Sequence, residues 1–251
     1  MSLYFFIGIT MHIINFLATT EFPKEGYLVL GFIVLLIIFE ISKRVRFYKT
    51  GYKQKTNLTY KKMKDDKGRL GEYDLYIKLV NIFGKENVFV NLYIPTSSFT
   101  NTEVDLLVLS QYGIFIFEMK NLGGEIYGDE NTKDWYAVFN KSRKFNFYNP
   151  FMQNKTHATA VENYLKLNTA ETIPIVVFAD RSHLQHVSFT HPRRLIKLNM
   201  VNKYVRAYIL EHKMIYTLEE MSELHTKLSV RMDMPDHVKQ EHIDYIHRKR
   251  R

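Results

Sequence analysis

Three side chains in this sequence are spaced so that they could act together: Asp105, then Glu118 and Lys120 with one residue between them. They lie in two apolar, β-branched and aromatic runs, EVDLLVL at 103–109 and IFIFEMK at 114–120, joined by Ser110-Gln111-Tyr112-Gly113. Runs of this kind across a short turn predict a β-hairpin. If the turn is symmetric, Ser110 pairs with Gly113. Asp105 then falls opposite Glu118, and Lys120 falls opposite Glu103. Strand side chains alternate between faces, so Glu118 and Lys120 point the same way. One end of the hairpin therefore gathers Glu103, Asp105, Glu118 and Lys120.

Two carboxylates opposed in a greasy sheet repel and raise one another's pKa, and burying them without a partner is costly. A divalent cation held by oxygen ligands removes the conflict. Mg²⁺ typically takes one or two carboxylates, with waters and substrate phosphate completing its shell. Lys120 beside it would orient or deprotonate an attacking water, or stabilise charge developing on a phosphate. Taken alone, Asp…Glu-x-Lys arises often by chance. A solvated strand end in which Lys120 neutralises Asp105 or Glu118 explains it equally well.

The elements that must position these residues are legible around them. Leu70, Tyr73, Ile77, Val80 and Phe83 recur at helical spacing, which predicts an amphipathic helix over 69–83 that follows Gly68 and ends at Gly84. Residues 87–94 (NVFVNLYI) read as a strand stopped by Pro95, and residues 135–139 as a further strand after Gly123, Gly124 and Gly128. Asn149-Pro150 is a helix start, with Asn as cap and Pro at the first position; that helix should run to about Leu167. The apolar run IPIVVFA at 173–179 predicts a strand buried on both faces, and 217–228 a late helix. The order of helix, three strands, helix and strand indicates an α/β sandwich around one mixed sheet.

The N-terminus differs in character. Residues 3–18 and 27–39 contain no charged residue, and the link between them carries Pro23 and Gly26. Neither run reaches the roughly 20 apolar residues that cross a bilayer comfortably, though tolerated flanking residues can lengthen each. Lys43, Arg44, Arg46, Lys49, Lys53 and Lys55 crowd the exit of the second run. The expectation is an N-terminal transmembrane helical hairpin with the soluble part in the cytoplasm. A buried helical hairpin or a cleaved signal peptide are the alternatives, and no positive region precedes the first run to favour the latter. The expected organisation is a membrane anchor at 1–42, a basic juxtamembrane linker at 43–67, a catalytic domain at 68–180, and a helical extension with a basic tail at 181–251.

Composition bounds the chemistry further. The 251 residues carry a formal charge of +9, which favours polyanionic partners, either nucleic acid or an anionic membrane. Cysteine is absent, which excludes disulfides, thiolate metal sites and a cysteine nucleophile. His183, His186 and His191 lack regular metal spacing and fall in an expected loop.

Four stretches in order carry a resemblance. The run from Glu103 to Asn121 is similar to the nuclease-related domain called NERD, a branch of the PD-(D/E)XK nuclease superfamily. Gly68-Arg-Leu-Gly71-Glu72 resembles that family's opening helix. Gly124-Glu-Ile-Tyr-Gly128 with Trp135 resembles its glycine turn and tryptophan, and Asn149-Pro150-Phe-Met-Gln153-Asn154 its Asn-Pro-x-x-Gln element. The resemblance covers about residues 68–179 and implies a restriction-endonuclease-like mixed sheet flanked by helices. It further implies Asp105 and Glu118 as ligands for Mg²⁺ or Mn²⁺ and Lys120 as the catalytic lysine. Glu72 would add a metal-binding carboxylate, although an acid near a helix N-terminus is favourable for dipole reasons alone. Gln153 would position the lysine or the substrate, and His157 one turn on would share its face without serving as a ligand.

The activity these features predict is metal-dependent hydrolysis of phosphodiesters in DNA by a membrane-anchored enzyme. Lys133, Lys141, Arg143 and Lys144, interleaved with Tyr136, Phe145 and Tyr148, would track the nucleic-acid backbone, or form a solvated β-ribbon. A non-catalytic nucleic-acid-binding module and a membrane scaffold of the same fold are the rival readings.

Overall fold

The computed structural model describes residues 23–96, 100–139, 143–190 and 195–232, together with Gly8, His12, Met234, Pro235, Gln240 and Asp244. Two compact units divide at residues 47 and 48. Apart from Gly8 and His12, the expected first apolar span lies outside the described residues, as do Lys141, His191 and the basic tail at 248–251.

The first unit holds helix α1 (Lys24–Lys49) up to Phe47. Its residues Leu28, Phe32, Leu35 and Phe39 point outward with well over half of their surface exposed. At 1.5 Å per residue the whole helix is about 39 Å long. Its uncharged run, however, extends only from Gly26 to Phe39, between Glu25 and Glu40, which is about 21 Å against a hydrocarbon core of about 30 Å. Among the described residues no helix is long and apolar enough to cross a membrane. The expected transmembrane hairpin is therefore not supported by the described structure.

The second unit opens with two short helices, α2 (Tyr52–Thr56) and α3 (Tyr60–Asp65), where a linker was expected. Tyr52, Tyr60 and Met63 are buried, and Tyr52 packs edge-on against Tyr73 and Tyr76. These anchors, with Leu58 between the two helices also buried, hold a segment whose lysine content concealed them. Helix α4 (Lys67–Phe83) begins two residues earlier than its apolar spacing indicated, because Asp66 caps it by accepting from Arg69 N–H.

Strands β1 (Val88–Pro95), β2 (Asn101–Ser110) and β3 (Gly113–Lys120) form an antiparallel meander. Next come β4 (Gly124–Asp129), β5 (Asp134–Phe139), β6 (Arg143–Tyr148), helix α5 (Pro150–Leu165) and β7 (Thr172–Phe178). The chain closes with β8 (Ser182–Ser188), β9 (Leu195–Lys197), α6 (Val201–Glu211) and α7 (Leu218–Ser229). One sheet was expected, but the strands make two. A mixed five-stranded sheet runs β1-β2-β3-β7-β9, and a four-stranded sheet runs β6-β5-β4-β8. β7 lies parallel to β3, as its uninterrupted apolar sequence required of a strand covered on both faces. His183 and His186 sit on strand β8 rather than in a loop.

The two cores explain the division. The first joins Phe89, Leu92, Val104, Leu107, Ile114 and Ile116 of the large sheet to Ala158, Val161 and Leu165 of α5 and to Leu224 and Leu228 of α7. The second centres on Trp135, with Ile126, Ala137, Val176 and Phe178 around it. Gly128 is obligatory here, because a Cβ would stand 2.1 Å from the Trp135 ring.

Candidate active site

The hairpin register agrees with a symmetric turn. Ser110 pairs with Gly113 and Leu106 with Phe117, and there the ladder ends. Phe89, Leu107 and Leu109 enter the core under α5, and so do Leu92 and Val104, three residues along each strand from Phe89 and Leu107. Strict alternation cannot produce that spacing, so β1 and β2 both change face in between. The change falls at Asn91, whose φ is +51°, and at Asp105 opposite it, the one pair missing from the β1–β2 ladder. Asparagine is among the few residues that tolerate this conformation. Beyond the kink β2 leaves β3, and the Asp105 carboxylate rather than a backbone carbonyl accepts the Met119 N–H at 3.2 Å.

The parting of the strands opens the space in which four elements meet. β3 supplies Glu118, fully buried, and Lys120, whose side chain keeps 19% of its surface. Lys120 Nζ donates to Glu118 Oε1 at 2.6 Å and to Gln153 Oε1 at 2.9 Å. Gln153 reaches the lysine because of its place on α5. Asn149 Oδ1 caps that helix by accepting from Phe151 and Met152 N–H, while its Nδ2 donates to the carbonyls of Asp129, Glu130 and Thr132. The first turn of α5 is thus tied to the turn between β4 and β5, and Gln153 and His157, four residues apart, face β3 together.

Helix α4 brings the third acid. Gly71 lies so close to the end of β3 that an added Cβ would stand 2.5 Å from Asn121 Cβ. Only glycine permits that approach, and its neighbour Glu72 is carried into the electrostatic field of Glu118 and Asp105. Glu103 belongs to the outer part of β2, where its partner across β1 is Tyr93, whose phenol hydrogen-bonds to it.

Charge is unevenly compensated. Burial, followed by Glu118 and Glu72, pushes the Asp105 carboxyl well above the usual range, against the pull of Lys120 and the Met119 N–H. Burial, Glu103 and Glu118 push Glu72 up to about 7. Burial also raises Glu118, but Lys120 and His157 outweigh it and hold this carboxylate below its ordinary value. Lys120 is lowered by burial and raised more strongly by Glu118 and Asp105, so it stands as an ammonium. Three carboxylates thus surround one amine, and two of them carry raised pKa values.

An oxygen-seeking dication fits that donor chemistry, because it lowers the cost of ionising Asp105 and Glu72 together. Among the described residues, however, no three acidic or histidine side chains converge as a ready-made metal-binding group. Glu72 therefore does not assemble with Asp105 and Glu118 into a preformed cage, and what the site offers is the sparse carboxylate set that Mg²⁺ accepts.

Sequence reasoning missed one connection. His157 is buried; its Nε2 lies 3.1 Å from Glu118 Oε2 and its Nδ1 2.8 Å from Thr102 Oγ1. Its four-residue spacing from Gln153 was the available signal, but a lone helical histidine carries little weight without knowledge of what it faces. The basic ribbon is placed as β5 and β6, where Lys144 Nζ lies 3.7 Å above the centre of the Tyr136 ring.

Comparison with known proteins finds a family match over this part of the chain. Residues 67–179 match the family model described as NERD, nuclease-related domain. An uncharacterized protein of Bacillus anthracis is 28% identical over 188 residues, covering 73% of this chain and 85% of that protein. No solved structure matches significantly. The match at 67–179 contains every element that supplies a side chain to the site, from the start of α4 to the end of β7.

Proposed function

We propose that this chain is a nuclease that hydrolyses phosphodiester bonds in DNA with Mg²⁺ or Mn²⁺. The observation that carries the proposal is the cluster itself: Asp105 and Glu118 at the parting of β2 and β3, with Lys120 held between Glu118 and Gln153. Asp105 and Glu118 would hold the metal, with Glu72 near enough to lend negative charge. The bound dication would supply Lewis acidity at the phosphodiester and a water of lowered pKa. Lys120 has three N–H groups and gives two of them to Glu118 and Gln153, which leaves one for a substrate oxygen or the attacking water. Held by two acceptors, Lys120 suits the role of a fixed cation that stabilises charge on the phosphate. Gln153 keeps the lysine from collapsing wholly onto Glu118.

The substrate class rests on the matched family and on the charge of +9. The test is cleavage of plasmid and oligonucleotide DNA by the full chain with Mg²⁺, Mn²⁺ or EDTA, beside an Asp105→Asn variant. The proposal expects metal-dependent cleavage that falls by about 10²-fold or more in the variant. Salt-sensitive binding without cleavage would replace the enzyme with a binding module, and absence of both would leave a scaffold.

Attachment of the chain to the cytoplasmic face of a membrane is proposed on separate grounds. The exposed apolar surface of α1 and the lysines and arginines along and after its last turns suit an anionic lipid surface.

A further inference from the structure

We propose that His157 and Thr102 are positioning residues that set the Glu118 carboxylate for the metal, an inference that rests on the metal-dependent reading above. Glu118 is buried, and its two oxygens meet Lys120 Nζ at 2.6 Å and His157 Nε2 at 3.1 Å. A carboxylate that binds a metal is ionised and only accepts, so the His157 contact requires Nε2 to carry the proton and donate to Glu118 Oε2. Nδ1 then meets the Thr102 hydroxyl at 2.8 Å, which can donate to it or accept from it as the ring requires. All three residues are buried, so water does not substitute for either contact.

The chain of contacts fixes two things at once. His157 occupies one oxygen of Glu118 while Lys120 occupies the other at 2.6 Å, so the carboxylate plane cannot rotate without breaking one of them. The chain also adds a polar link between two elements that share the core around Val104 and Val161. Thr102 is on the outer part of β2, beyond the kink at Asp105, and His157 is on α5. Placing one hydroxyl against one ring nitrogen sets the angle at which β2 leaves β3, and with it the separation of Asp105 from Glu118. A histidine that orients a metal-binding carboxylate from behind is the arrangement in which outer contacts typically alter metal affinity by about 10–100-fold. Neither His157 nor Thr102 needs to touch substrate.

The experiment measures Mn²⁺ affinity of the full chain by calorimetry without substrate, for the parent and for Thr102→Val, Thr102→Ser and His157→Gln. Cleavage is titrated against Mn²⁺ in parallel. Thr102→Val keeps the shape of the side chain and removes its hydroxyl. It is expected to weaken Mn²⁺ by about tenfold and to shift the half-activating concentration equally, with Thr102→Ser restoring both. Unchanged affinity in Thr102→Val and in His157→Gln overturns the proposal while leaving the nuclease reading intact. A parent chain that binds no Mn²⁺ overturns the metal reading and this inference with it. If Thr102→Val does not fold, ¹⁵N spectra of histidine-labelled parent protein decide: a protonated Nε2 on His157 supports the chain of contacts, and a bare Nε2 overturns it.

Discussion

Lys120 stands in an acidic pocket that one ammonium cannot neutralise. Glu72 and Asp105 ionise at higher pH in the folded chain than in the unfolded one, so folding takes up protons there. The stability they contribute is full below the ordinary carboxylate value and is lost as pH rises through about 7 for Glu72. Glu118, held low, contributes in the opposite sense and loses its share as pH falls. A bound dication offsets the alkaline loss, so Mg²⁺ should raise Tm more at about pH 7.5 than at about pH 5.5. At ten times Kd the gain is about 1.4 kcal/mol, or about 3–6 °C for a domain of this size. Thermal denaturation with and without Mg²⁺ at the two values checks this, and an equal or larger shift at the lower value would contradict it. The symmetric turn was legible, since Ser110 pairs with Gly113, but the ladder ends at Leu106 and Phe117, so the expected pairings of Asp105 with Glu118 and of Glu103 with Lys120 are not formed. The His157 contact was not legible, since nothing in a helical period says which carboxylate a distant strand will present.

At the level of elements, Asn149 joins the cap of α5 to the turn between β4 and β5, and so fixes the reach of Gln153 to Lys120. Asn149→Ala should remove the cap and take a donor from the part-buried Glu130 and Thr132 carbonyls, at a cost of about 2–4 kcal/mol. A Tm lower by roughly 5–15 °C, with cleavage falling further than the folded fraction at the assay temperature explains, is the expected result. An unchanged Tm would contradict this role. The Asn-Pro start of α5 and the long strands were legible because caps, proline and β-branched runs act locally. The kink at Asn91 and Asp105 was not, because a face change within an apolar strand leaves no break in hydrophobicity. The short helices α2 and α3 were hidden for a related reason: tertiary burial of Tyr52, Tyr60 and Met63 overrides a composition that reads as linker.

For the molecule as a whole, the second sheet is what sequence order failed to convey. β8 returns to pair parallel with β4, and so β4, β5 and β6 form a sheet of their own around Trp135 instead of extending the first. Strand identity is a local property, whereas sheet membership depends on which strand comes back. The N-terminal unit carries the one prediction about location: the full chain should float with vesicles containing anionic lipid, and a chain lacking residues 1–42 should remain with the soluble fraction. Equal flotation of both would contradict attachment through α1. The central claim concerns Lys120, and single-turnover cleavage of DNA by the full chain with Mg²⁺, compared between parent and Lys120→Ala, tests it most directly. The account predicts parent activity that EDTA abolishes and a loss of about 10²–10³-fold in the variant with its fold and DNA affinity retained. Cleavage that survives the substitution at the parent rate would contradict it.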